Sequence, residues 1–245
     1  KATKNNTIKL KFDSSRNLAP APESRSAAKI NERYELFING EFQKPLSKKY
    51  FDTINPATEE IITTITDDTV VTVQQKYEQA KKAQSLWAQI PVNERIGCIE
   101  RFYHLLDEQK DELARTLTSE MGKPLQQSYN ELNGARSRIK YFIDNGAKYL
   151  AEEWITPEGA TREKIVYEPL GVIANISAWN YPYLTAVNSV VPAILAGNAV
   201  VLKHSAQTPL CAERFQEAFD AAGLPAGVFQ HLHLSHDAAL RIAWV

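Results

Sequence analysis

Apolar residues recur at two different spacings along the chain, and the change from one to the other divides it. Val70, Val73, Tyr77, Ala80 and Ala83 fall three or four positions apart, which predicts an amphipathic helix with Asp68 as its N-cap. Pro91 opens a second helix, in which Ile96, Ile99, Phe102 and Leu106 share a face. A third carries Leu113 and Leu117 and stops before Gly122, with Pro124 where a helix cannot easily continue. A fourth starts near Gln126, with Leu132, Ile139, Phe142, Ile143 and Leu150 as its buried stripe. Helices filling residues 68–150 need a second layer to cover, and a sheet is the expected partner.

Strand patterns flank this block. Upstream, Glu35 to Phe42 reads as a short hairpin turning at Asn39-Gly40, and Asp52 to Thr66 continues in extended structure around Asn55-Pro56-Ala57-Thr58. Downstream, Lys164 to Glu168 is strand-like, and Val172 to Ile176 is a near-continuous apolar run of the kind buried on both faces. A helix then runs to Ala196, a strand from Ala199 to Leu202, and a further helix from Thr208-Pro209 to Gly223, with Gly227-Val228-Phe229-Gln230 leading into a third strand. The order β-α-β-α-β predicts an α/β fold, a doubly wound open parallel sheet of Rossmann-like type with right-handed crossovers. The first strand-to-helix turn has no G-x-G-x-x-G, so a dinucleotide would have to be held in an atypical mode.

In such sheets ligands bind outside the carboxyl ends of the strands. The polar turn Ser177-Ala178-Trp179-Asn180-Tyr181-Pro182 falls at one of these ends, so the Asn180 amide is a candidate for gripping a reacting group. Composition narrows the partners. The 245 residues are 44% hydrophobic and 23% charged, with a formal charge of −1, which suits a globular protein and offers no field for collecting nucleic acid. Residues 1–30 carry +5 of that charge, leaving −6 elsewhere, and their Pro, Ser and Ala content predicts a flexible arm. No apolar run reaches the roughly 20 residues that span a bilayer.

Cys98 and Cys211 are far apart and lack a CxxC neighbour, which fits a reducing, cytoplasmic setting without disulfides or a zinc framework. Cys98 keeps step with apolar neighbours and reads as core. Cys211 opens a helix, where a dipole favours thiolate, but no histidine partner is evident. His231, His233 and His236 could share one face of a strand and suggest a metal. Exposed or half-buried histidines flanking a loop are the preferred reading, and no metal is predicted.

Several blocks in register carry a resemblance. Tyr167-Glu168-Pro169-Leu170-Gly171-Val172, Trp179-Asn180-Tyr181-Pro182, Pro192 to Asn198, Val201-Leu202-Lys203-His204-Ser205 and Gly223 to Phe229 resemble the aldehyde dehydrogenase superfamily in order and spacing. Phe37-Ile38-Asn39-Gly40, Asn55-Pro56-Ala57-Thr58 and Glu120-Met121-Gly122-Lys123-Pro124 extend the match. The resemblance implies oxidation of an aldehyde to a carboxylic acid through a cysteine thioester, with NAD or NADP as cofactor and no metal. It implies that Asn180 donates its side-chain N–H to the oxyanion, a contact whose removal costs about 2.7 to 4 kcal/mol. It also implies that Lys203 contacts the adenosine ribose and that Ser177, Ala178 and Trp179 lie along the dinucleotide.

Departures shape the expectation further. Where the family's lysine block commonly continues Pro-Ser-Glu, this chain has His204-Ser205-Ala206. Ala206 removes an acid that would accept from ribose hydroxyls and repel a 2′-phosphate, so NAD and NADP both stay open. The family's glutamate base and cysteine nucleophile are expected beyond Val245, which makes this chain the cofactor-side portion of a longer enzyme. The alternative is a catalytically inert nucleotide-binding or assembly protein that keeps the fold. The expected division is a flexible arm at 1–30, strands and helices of the cofactor domain at 31–150, an oligomerisation hairpin at 151–170 and the βαβαβ core at 171–245. The hairpin's resemblance implies a homodimer or homotetramer.

Overall fold

The computed structural model describes residues 36–38, 41–43, 49–158 and 161–234. The arm at 1–30, the Asn39-Gly40 turn and His236 lie outside them. Strands β1 (Leu36–Ile38) and β2 (Glu41–Gln43) pair antiparallel, as do β3 (Tyr50–Ile54) and β4 (Ile61–Thr66). Between β3 and β4, Asn55 Oδ1 accepts from the Ala57 N–H at 2.9 Å, the side-chain turn that suits Asn at this point.

Helix α1 (Val70–Trp87) is capped by Thr69, not Asp68. Thr69 Oγ1 accepts from the Thr72 N–H at 3.1 Å while Thr72 Oγ1 accepts from the Thr69 N–H at 2.8 Å, a reciprocal capping box. Asp68 is drawn elsewhere, because its carboxylate accepts from Thr72 Oγ1 at 2.8 Å and from the buried Lys76 ammonium at 2.9 Å. Helices α2 (Val92–Glu108), α3 (Lys110–Met121) and α4 (Leu125–Tyr149) follow close to their expected limits. Gly122 ends α3 at φ 79°, and a Cβ there would lie 2.7 Å from Pro56 Cγ, so only glycine meets both demands.

Strands β5 (Glu153–Thr156) and β6 (Glu163–Ile165) make an antiparallel pair. The second is shorter than its apolar run suggests, and its pairing with β5 carries a register irregularity between Trp154 and Thr156. Beyond it, β7 (Val172–Ile176), β8 (Ala199–Lys203) and β9 (Phe229–Leu232) form a parallel sheet in that order, connected by α5 (Pro182–Leu195) and α6 (Pro209–Ala221). Val200 and Leu202 of β8 join the large core with α5 and α6, while Ala199 and Val201 meet Val73 and Ala80 of α1 on the opposite face.

Two expectations need correction. Only α1 of the first four helices lies on the sheet; α2, α3 and α4 pack on α5 and α6, with Phe102 stacked on Phe219 at 3.9 Å between ring centres. The physical reason is that α5 is apolar nearly all round, so it is sandwiched between sheet and helices. The double burial predicted for β7 also fails, with Ile176 61% exposed. Among the described residues β7 is an edge strand, paired only with β8.

Candidate active site

The carboxyl ends of β7 and β8 are tied together where the polar turn begins. The Ser177 N–H donates to the Lys203 carbonyl at 3.0 Å, and Ser177, itself buried, donates its hydroxyl to Asn175 Oδ1 at 2.8 Å. From this anchored serine the chain runs outward. Ala178, Trp179, Asn180 and Tyr181 are all exposed, and Pro182 starts α5 with its fixed φ and missing N–H where neither matters.

Two buried side chains hold that turn from behind. Glu131 of α4 accepts from the Tyr183 and Leu184 N–H groups through Oε1 at 2.9 and 3.2 Å, so a carboxylate satisfies the open N-terminus of α5. Its other oxygen meets Lys123 Nζ at 2.5 Å. Lys123 also donates to the Asn180 carbonyl at 3.1 Å and lies 4.5 Å from the centre of the Tyr181 ring. The backbone of Asn180 is thus clamped while the residue itself stays open to solvent.

The next helix repeats this plan. Glu120 of α3 accepts from the Leu210 and Cys211 N–H groups at 2.7 and 3.0 Å, capping α6, which also opens on a proline. Burial pushes the Glu120 carboxyl up to about 8 against the pull of those N–H groups. Burial, reinforced by Glu120, likewise raises the Cys211 thiol well above its usual range, which overrides the helix dipole and removes the thiolate the sequence allowed. Cys98 is buried and its thiol is raised as well.

Lys203 ends β8 nearly buried, on the side of the strand that carries Ala199 and Val201; burial lowers its ammonium and Asp67 opposes the change. Ser205 makes a local turn, its Oγ accepting from the Gln207 N–H at 3.2 Å. A cavity of about 400 Å³ opens beside these strand ends, bordered by Trp179, Ala206 and Gln207 on one side and by Asp52 and Glu120 on the other. The fold therefore gathers Ser177, Ala178, Trp179, Asn180, Lys203, Ser205 and Ala206 at one rim.

His204 departs from that set. Its side chain is buried with neither ring nitrogen partnered, it faces the Phe215 ring, and burial lowers it to about 3. Only its backbone remains at the rim. His231 and His233 are also buried, at 3% and 4% exposure, because β9 is covered by α1 and α6. The exposed placement expected of them is overturned.

Comparison with known proteins identifies the family. The aldehyde dehydrogenase family matches residues 42–242. The chain belongs to that family. It is 34% identical over 180 residues to a probable NADP(+)-dependent succinate-semialdehyde dehydrogenase of Synechocystis, covering 74% of this chain and 39% of the relative. It is 35% identical over 185 residues to the NADP(+)-dependent succinate-semialdehyde dehydrogenase of Deinococcus radiodurans, covering 75% and 38%. Among solved structures, betaine aldehyde dehydrogenase from Staphylococcus aureus in complex with NAD+ superposes with a TM-score of 0.78 at 30% identity over 84% of this chain and 42% of that one. The chain spans about two fifths of the length of the curated relatives it matches.

Membership in the aldehyde dehydrogenase family accounts for the fold. Lys123, Glu131 and Glu120 were not singled out from sequence as site residues. The backbone groups they hold lie 52 to 91 positions away, so no local pattern betrays that role; the nearest signal is an acid beside an apolar helix stripe, as Glu131 stands beside Leu132.

Proposed function

We propose that this chain is the cofactor-side portion of an NAD(P)-dependent aldehyde dehydrogenase. The observation that carries the reading is Asn180, exposed at the carboxyl end of a parallel sheet with its backbone fixed by Lys123 and by the start of α5. A carboxamide held so can present its N–H to an oxyanion without reorganising during the reaction. An ionised aspartate would only accept hydrogen bonds and would repel the charge.

The fit to a pyridine dinucleotide rests on this chain's own residues. Trp179 and Ala206 face one cavity, Lys203 sits at the strand end, and no carboxylate stands at position 206 to repel a 2′-phosphate. NAD or NADP, when bound, supplies the oxidant for the aldehyde. The succinate-semialdehyde enzymes named above use NADP(+), which accords with an uncharged residue at that point. Nucleophile and base are assigned to parts of the protein outside this chain, since both of its cysteines are buried.

The β5–β6 pair leaves Trp154, Ile155 and Ile165 exposed, which supports pairing with a second copy in a homodimer or homotetramer. Two free cysteines and, among the described residues, no helix able to cross a membrane agree with a cytoplasmic enzyme acting on a small aldehyde.

Calorimetric titration of the chain with NAD+ and NADP+ tests the cofactor reading: Lys203→Met should weaken binding, and no heat with either nucleotide would overturn it. In a protein extended through the catalytic cysteine and glutamate, Asn180→Ala should lower kcat by about 10² to 10³. Nucleotide binding without turnover in that extended protein would favour an inert binding or assembly role.

A further inference from the structure

Strand β9 ends in His231-Leu232 with His233 next in the chain, and period-two alternation places the two imidazoles on the face opposite Leu232. Leu232 joins the cluster beneath α1, so the histidines face α6. There they meet Glu213, and one ligand atom from each of Glu213, His231 and His233 lies within 4.8 Å of the others. His233 Nε2 and Glu213 Oε1 are already 3.1 Å apart, close to the roughly 3.3 Å edge of a tetrahedron with zinc-ligand bonds of about 2.0 to 2.1 Å. The two imidazole rings stand 4.7 Å apart between centres.

A second observation is independent of that spacing. His231 Nδ1 is buried without a hydrogen-bond partner, and both nitrogens of buried His204 lack one too. Register pairs Lys203 with Leu232, so His204 follows β8 level with His233 on the neighbouring strand. An orphaned buried polar atom destabilises the fold, and native structures rarely keep several together without an ion or water to satisfy them. Leucine or phenylalanine would pack this interior without the penalty. Neutral imidazole offers a lone pair instead.

We propose that Glu213, His231 and His233 bind a divalent cation of the zinc class, with His204 adjoining the fourth position. Two nitrogens and one carboxylate oxygen suit Zn2+ better than Ca2+ or Mg2+, which prefer all-oxygen shells. Two ammonium groups act on these histidines: Lys76 donates to the His231 carbonyl and is paired with Asp68 at 2.9 Å, and Lys203, which precedes His204, is offset by Asp67, so neither bars a cation. Bound metal clips the end of β9 to α6, at the carboxyl end of the sheet, with β8 between it and the strand β7 that leads into the polar turn. This departs from the metal-free expectation drawn from the family resemblance, and it stands independently of the dehydrogenase reading.

The test uses the untagged chain, stripped with chelator and titrated with Zn2+ and, separately, Co2+. One equivalent should bind, cobalt should give the intense visible bands of a four-coordinate site, and the thermal midpoint should rise with zinc but not with Mg2+. Glu213→Gln, at a side chain 12% exposed and tolerant of an isosteric change, and His233→Gln should each weaken zinc by more than about ten-fold. His104→Gln, at an exposed histidine on α2, should leave binding unchanged. Failure to bind an equivalent, or binding that Glu213→Gln and His233→Gln leave intact, would overturn the site, whatever the chain's behaviour toward nucleotide.

Discussion

Replacing Lys123 by methionine would show whether the clamp behind Asn180 is an energetic feature of the protein. The Lys123 and Glu131 side chains are 6% and 0% exposed and meet at 2.5 Å. Removing one member of a buried ion pair costs about 3 to 5 kcal/mol, because the other charge is left without its counterion. Glu131 would still accept from the Tyr183 and Leu184 N–H groups, so the lower end, about 3 kcal/mol, is expected. For a chain of this size each kcal/mol moves the midpoint roughly 2 to 4 °C, giving a fall of roughly 6 to 12 °C. Glu131→Gln alone keeps an acceptor for α5 but strands the Lys123 ammonium. The double change K123M/E131Q removes both charges while the glutamine oxygen still caps the helix. Urea unfolding of the four proteins should therefore show the double variant more stable than the summed singles predict, by at least about 1 kcal/mol. Simple additivity would refute the pair as the unit that holds the turn.

Two further changes probe neighbouring features. Because the Glu120 carboxyl is raised from 4.5 to about 8, its burial favours the protonated folded state; stability should fall as pH rises between these values, and Glu120→Gln should flatten that slope in urea midpoints measured from pH 5 to 8. Gly122→Ala combines a φ of 79° with a Cβ 2.7 Å from Pro56 Cγ, so a loss of about 1 to 3 kcal/mol is expected in thermal unfolding, whereas an unchanged midpoint would show that the turn relaxes freely.

Most of the architecture was legible because periodicity reports burial. The stripe Ile96, Ile99, Phe102 and Leu106 lies against the other helices, and the apolar run at Ala199 to Leu202 lies between two helical layers, so each pattern had a physical cause at that position. The failures are equally specific. The run Val172 to Ile176 has the composition of an interior strand, yet composition says nothing about how many neighbours the strand finds. Asp68 and Thr69 are both good N-caps, and the choice between them was made by Lys76, about two turns further on, which captures the carboxylate. The exposed Asn180 turn could be placed from the end of a strand pattern. The hold that Lys123 and Glu131 take on it could not, since those contacts form only when α4 packs on α5.

That distinction bears on how the rim is built. Both helices that start at the carboxyl ends of the described parallel strands begin with proline, and both have their N–H groups capped by a buried glutamate from another helix, Glu131 for α5 and Glu120 for α6. A free helix N-terminus attracts anions and would compete for a dinucleotide's phosphates. Filling each with an internal carboxyl group occupies those N–H groups at the first turns, so under the proposed reading recognition falls to the exposed turn at 178–180, to Lys203 and to the cavity at Ala206. The missing G-x-G-x-x-G then has a structural counterpart: a chain that already holds carboxyl groups at these helix starts has no use for glycines that would bring a pyrophosphate onto them.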